Sequence, residues 1–130
     1  QVRSYFLEKR RVIMIYKKSE ELKPIPLEHC MGGEGVVMME KLLNAPEEML
    51  GKGRAYVRHT LNPGVSIGMH THEKEMETMV LIEGKAKHII NGEVQHLKKG
   101  DIIGAMPGDT HSIACEGEEP LVVIAQVLYE

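Results

Sequence analysis

The sequence predicts an all-β fold, a sandwich or closed barrel, and three observations carry that prediction. First, from residue 54 to the end the chain is cut into short apolar or alternating runs by turn residues: Asn62-Pro63-Gly64, Glu83-Gly84, Asn91-Gly92, Lys99-Gly100-Asp101, Pro107-Gly108-Asp109 and Glu116-Gly117. Short strands at such spacing bury their inner faces by stacking two sheets or by closing one. Second, Asn91-Gly92 joins residues 85–90 to 93–97 as a hairpin, because Asn and Gly tolerate the positive φ that a type I′ turn needs at both central positions. Third, residues 54–61 alternate, with Ala55, Val57, His59 and Leu61 on one side and Arg54, Tyr56, Arg58 and Thr60 on the other.

Taken in order, residues 11–17 and 35–43 read as strands, while residues 18–30, with Pro24 and Pro26, read as an irregular linker. Asn44-Ala45-Pro46-Glu47 has the form of a cap for a short helix ending near Gly51, with Asn44 as N-cap and acids in the first turn. In residues 78–82 both faces are apolar, Met79 and Leu81 on one and Val80 and Ile82 on the other, so this strand is expected to be covered twice, by the N-terminal segment or by a second subunit. The expected organisation is one domain: an extension over residues 1–53, packed on the barrel or at a dimer interface, and the barrel proper over residues 54–130. A homodimer is the expected assembly.

The chain has 130 residues, 42% hydrophobic and 27% charged, which fits one globular domain and excludes disordered and fibrous classes. Sixteen Lys and Arg stand against nineteen Asp and Glu, a formal charge of −3, with no basic stripe, so nucleic acid is not an expected partner. The longest mostly apolar stretch, residues 121–128, contains Gln126 and falls far short of the roughly 20 residues of a membrane span. No membrane association is expected. Two well-separated cysteines, Cys30 and Cys115, and an N-terminus without a signal-peptide pattern make a reducing, cytoplasmic setting the expectation. Nine Met, one Phe and no Trp predict a flexible, polarizable interior.

Seven His are many for this length. His70 and His72, two apart in a strand, offer two imidazoles to one interior point. Glu77 opens the next apolar run, and a turn through residues 73–75 brings it back beside the pair. His111 follows the Pro107-Gly108-Asp109-Thr110 turn and offers a third imidazole. Three nitrogens and one oxygen suit a borderline divalent metal and leave a coordination position open. Unliganded, such a set would be costly to bury.

These residues carry a family resemblance. Gly64, five residues, His70-x-His72, four residues, Glu77, six residues and Gly84 match the first signature of the cupin superfamily at every fixed position. Gly100, Gly108 and His111 stand at the spacing of the second, whose proline slot is Met106 and whose terminal Asn slot is Cys115. Fifteen residues separate the two segments, as in small single-domain members, and the resemblance spans roughly residues 54–128. It implies an antiparallel jelly-roll barrel, a double-stranded β-helix, holding one divalent transition metal per chain on His70, His72, Glu77 and His111. Iron, manganese, nickel, zinc and copper are all admissible.

Beyond the ligand set, His59 faces inward with Val57 and Leu61, either as a satisfied core residue or as a catalytic acid/base beside the metal. Met79, on the strand face of Glu77, and His88, on the face of Ala86 and Ile90, are candidates for substrate contact. Arg54 and Arg58 would reach an anionic substrate only if the register slipped by one. The function expected is a metal-dependent enzyme acting on a small polar metabolite, with oxygenase-type chemistry favoured over decarboxylase or isomerase chemistry. The alternative is a non-catalytic, metal-centred binding or sensing protein.

Overall fold

The structure is a computed structural model and describes residues 14–130. Ten strands run through them: β1 Ile25–Glu28, β2 Val36–Lys41, β3 Gly53–Leu61, β4 Ser66–Thr71, β5 Glu75–Glu83, β6 Lys85–Ile90, β7 Glu93–Lys98, β8 Ile102–Ala105, β9 Thr110–Glu116 and β10 Leu121–Tyr129. They form two antiparallel sheets, a larger one in the order β1-β2-β3-β10-β5-β8 and a smaller one in the order β4-β9-β6-β7. From β3 onward the chain passes repeatedly from one sheet to the other, which is the jelly-roll barrel.

Patterning explains the layers. Along β10 residues alternate buried and half-buried, and Val123 sits opposite His59 of β3 and Leu81 of β5. The inner faces of both sheets meet in a core that includes Leu61, Met79, Leu81, Ile113, Leu121 and Val123, all 2% exposed or less. Each such side chain contributes about 1.5–3 kcal/mol by leaving water. The Asn91-Gly92 hairpin forms as expected, with φ of 50° and 82° and Ile90 opposite Glu93. On the outer side of β5, Val80 is half-buried and Ile82 exposed.

The N-terminal region differs from expectation in three places. Of residues 11–17, the first three lie outside the described residues and the rest form no strand. The stretch 18–30, expected to be an irregular linker, contains a 3₁₀ turn at Ser19–Glu21 and the strand β1. Pro26 is compatible with β1 because that strand lies at the sheet edge and pairs only with β2, so a missing N–H need break no ladder. The helix expected from Asn44 is a single 3₁₀ turn, Glu47–Met49, ended by Leu50 and Gly51 at φ of 58° and 70°. Asn44 does not cap it through its side chain; its backbone N–H donates to Glu48 Oε1 at 2.6 Å.

Strands β1 and β2, from the first 53 residues, continue the larger sheet past β3. The 3₁₀ turn between them, Cys30–Gly32, lies against β4 through two glycines: a Cβ on Gly33 would collide with the Ser66 carbonyl, and one on Gly68 with the Met31 carbonyl. Only hydrogen at both positions lets the backbones approach so closely. No helix among the described residues is long and apolar enough to cross a membrane.

Candidate metal centre

His70 on β4 and His111 on β9 face each other directly across the smaller sheet. His72 follows β4, its backbone N–H donating to the Asp109 carbonyl and its own carbonyl accepting from Gly108. Glu77 comes from β5 in the opposite sheet, so the group spans the barrel interior. The donor atoms of His70, His72, Glu77 and His111 all lie within 4.8 Å of one another. Glu77 Oε1 is 3.1 Å from His72 Nε2, 3.0 Å from His111 Nε2 and 3.8 Å from His70 Nε2. Donors held roughly 2.1 Å from one ion stand about 3.0–3.4 Å apart at octahedral or tetrahedral angles; the separations of Glu77 from His72 and His111 match that range, and the 3.8 Å to His70 is wider.

The outer nitrogens of the rings give an independent test of fit. His70 Nδ1 donates to the Gly68 carbonyl at 2.7 Å, and His72 Nδ1 donates to Glu75 Oε1 at 2.9 Å. Both rings therefore carry hydrogen on Nδ1 and turn a bare Nε2 lone pair inward, the arrangement a metal-ligating imidazole needs. His72 Nε2 is only 3.0 Å from His111 Nε2. Lone pairs aimed at one point repel one another unless a cation lies between them, so the donor set fits a divalent metal. Burial pushes the Glu77 carboxyl up, but its closeness to His111, His70 and His72 outweighs that and holds the group ionised well below the usual carboxylate range. His70 is raised by its contact with Glu77.

A cavity of about 150 Å³ lies beside the group. His59 and Met79 border it, as their strand faces imply, and Cys30 and Met31 from the Gly33–Gly68 contact border it as well. His59 is 8% exposed and its Nδ1 has no hydrogen-bond partner. Burial holds this ring's pKa below its ordinary value. His88 does not border the cavity: it stands behind His111, with Nε2 2.9 Å from His111 Nδ1 and Nδ1 2.8 Å from Gln95 Oε1.

Arg54 also borders the cavity, although simple alternation places it on the outer face. Its neighbours explain the discrepancy: Gly53 pairs with Leu128 and Ala55 with Val127, so Arg54 is the extra residue of a β-bulge. A bulge re-aims the side chain it carries. Arg54 Nε and Nη2 each donate to Glu75 at 2.7 Å, and this pairing lowers the Glu75 carboxyl to about 2. Arg58 keeps to the outer face, where it pairs with Glu40 at 2.8 Å.

Residues 57–127 match the Cupin domain family. The chain belongs to the cupin family. It is 34% identical over 111 residues to an oxalate-binding protein of Thermotoga maritima, covering 85% of this cupin and 91% of that protein. Among solved structures, a predicted oxalate decarboxylase from Thermotoga maritima superposes with a TM-score of 0.86 at 33% identity, over 89% of this chain and 100% of the other. KdgF from Halomonas sp. shares the fold, with a TM-score of 0.70 at 16% identity over 89% and 96% of the two chains.

Proposed function

We propose that this cupin binds a small dicarboxylate of oxalate size at a metal held by His70, His72, Glu77 and His111. The observation that carries the reading is the cavity itself. At about 150 Å³ it is well below the roughly 300–1,000 Å³ of pockets that take drug-sized ligands, and it presents two polar groups beside the donor set, His59 and Arg54. A divalent metal there supplies a positive centre that two neighbouring oxygens of one ligand can share. Arg54 keeps Nη1 for a carboxylate while Nε and Nη2 hold Glu75. His59 offers a ring hydrogen or lone pair to the ligand, and the apolar walls exclude water. The relatives' names support the same ligand class.

A second reading is favoured by the unpartnered His59 Nδ1. In decarboxylation of hydrogen oxalate to formate and carbon dioxide the C–C bond breaks, its electron pair stays on one carbon, and a proton joins that carbon. A neutral buried imidazole beside the cavity is placed to pass that proton. The preference for oxygenase chemistry drawn from the sequence gives way to the ligand class these observations favour. The assembly proposed is a homodimer, packed through the outer side of the larger sheet.

The test is calorimetric titration of oxalate, malonate and acetate into protein loaded with Mn²⁺ or Zn²⁺, with formate assayed in parallel. Oxalate should bind the loaded protein and not the metal-free one. His72→Ala should lose both metal and oxalate, whereas His59→Ala should keep the metal and bind oxalate more weakly. Loaded protein that gives no heat with either dicarboxylate would refute the reading.

A further inference from the structure

Two of the three imidazoles have their outer nitrogen fixed by an unambiguous acceptor: a main-chain carbonyl for His70 and a carboxylate for His72. His111 is different. Its Nδ1 faces another imidazole, His88, which can accept or donate through Nε2 according to where its own hydrogen sits. Left to itself, that pair could run either way, and one of the two ways puts hydrogen on the His111 nitrogen that faces Glu77 and His72.

We infer that Gln95 sets the polarity of this chain and that His88 and Gln95 together are positioning residues that hold His111 ready for the metal. Gln95 Oε1 lies 2.8 Å from His88 Nδ1, and an amide oxygen only accepts. His88 therefore carries its hydrogen on Nδ1, accepts through Nε2 from His111 Nδ1 at 2.9 Å, and leaves His111 Nε2 bare toward Glu77 Oε1. Side-chain placement supports a dedicated role. His88 on β6 is 0% exposed, its ring meets His111 edge-on with centroids 5.1 Å apart, and it sits opposite Gln95 in the β6–β7 register. Gln95 is half-buried on β7, the edge strand of the smaller sheet, so it is the outermost link of a chain from the sheet edge to the barrel centre. The three links use every ring nitrogen of both histidines, which a merely space-filling imidazole would not require.

The inference rests on the metal reading above, so its test includes a measurement that needs no metal. Long-range ¹H–¹⁵N correlation of the histidine rings in the metal-free parent should place the His88 hydrogen on Nδ1; finding it on Nε2 overturns the inference whether or not the protein binds metal. A parent that takes up no Zn²⁺ defeats the metal reading by itself and leaves the ring measurement to decide the chain's polarity. In chelator competition with Zn²⁺, Gln95→Met should weaken binding by at least about 3-fold and by no more than the roughly 10–100-fold that losing a ligand's own hydrogen-bond partner costs, since Gln95 acts one link further out. Gln95→Glu, which can only accept, should bind at or above the parental affinity. If Gln95→Glu loses affinity as Gln95→Met does, the amide acts as a donor and the polarity is reversed; if Gln95→Met binds as the parent does, the chain holds nothing. Both changes fall at a half-buried edge position, so neither depends on the behaviour of a His88 variant in the core.

Discussion

A buried imidazole with an unpartnered nitrogen costs folding free energy, and His59 has neighbours that make the cost plain. Its cross-strand partners are Met39 and Val123, neither of which can hydrogen-bond to it. Leaving such a group unsatisfied costs about 1–3 kcal/mol. His59→Leu is therefore expected to raise stability at pH 7 by on the order of 1 kcal/mol while weakening ligand binding, a trade between stability and function. The pH dependence has a definite sign. Burial lowers the folded pKa from 6.5, so the unfolded chain takes up a proton that the native ring refuses. Parental stability should fall as pH drops below about 6.5, and His59→Leu should lack this part of the slope in urea titrations between pH 7.5 and 5.5. The inward placement of His59 was legible from alternation alone. Its missing partner was not, because that depends on which residues three other strands bring beside it.

At the scale of the element, two bulges decide what the strands present to the cavity. One brings Arg54, still exposed, to the border of the cavity at the start of β3. The other lies between Ile67 and His70 on β4, where two residues, Gly68 and Met69, oppose the single residue Ser112. It lets Ile67 and His70 both face the interior although they are three apart. Spacing made the His70–His72 pair, Glu77 and the Asn91-Gly92 hairpin readable, since each follows from a fixed period or a local backbone requirement. A bulge leaves no such period, so the place of Arg54 at the cavity border was not readable, and β1 was hidden by prolines that only an edge position tolerates. His88 was read correctly as an inward residue, but what stands between it and the cavity is His111, which only the β6–β9 register reveals. The Gly33–Gly68 contact yields a prediction. Gly68→Ala should cost about 1–3 kcal/mol in urea denaturation and disturb oxalate binding, because the Cys30–Gly32 turn must move off β4. Gly104→Ala is the control: there the added carbon meets Glu77 O and Thr78 Cγ2 at an ordinary 3.7 Å and should be tolerated.

Across the whole molecule, the larger sheet carries a second apolar surface. On its outer side Ile102, Val80 and Ile124 stand in register across three neighbouring strands, and Ile102 is 72% exposed. Such a cross-strand row suits a self-complementary contact about a twofold axis. Sedimentation at micromolar concentration should therefore find a dimer, and Ile102→Lys with Ile124→Lys should shift it to monomer without loss of metal. A parental protein that sediments only as monomer would show that this surface has no such role. The doubly apolar character of residues 78–82 was visible in the sequence, whereas its continuation onto β8 and β10 required the strand order.

The sulfur-bearing side chains around the cavity have a consequence of their own. Cys30, Met31, Met39 and Met79 all border it, beside the donor set, His59 and Arg54. Thioethers and thiols are the protein groups most readily converted to sulfoxide and sulfenic acid. Peroxide entering this chamber would meet those four side chains, and each hit would turn a soft wall into a polar one.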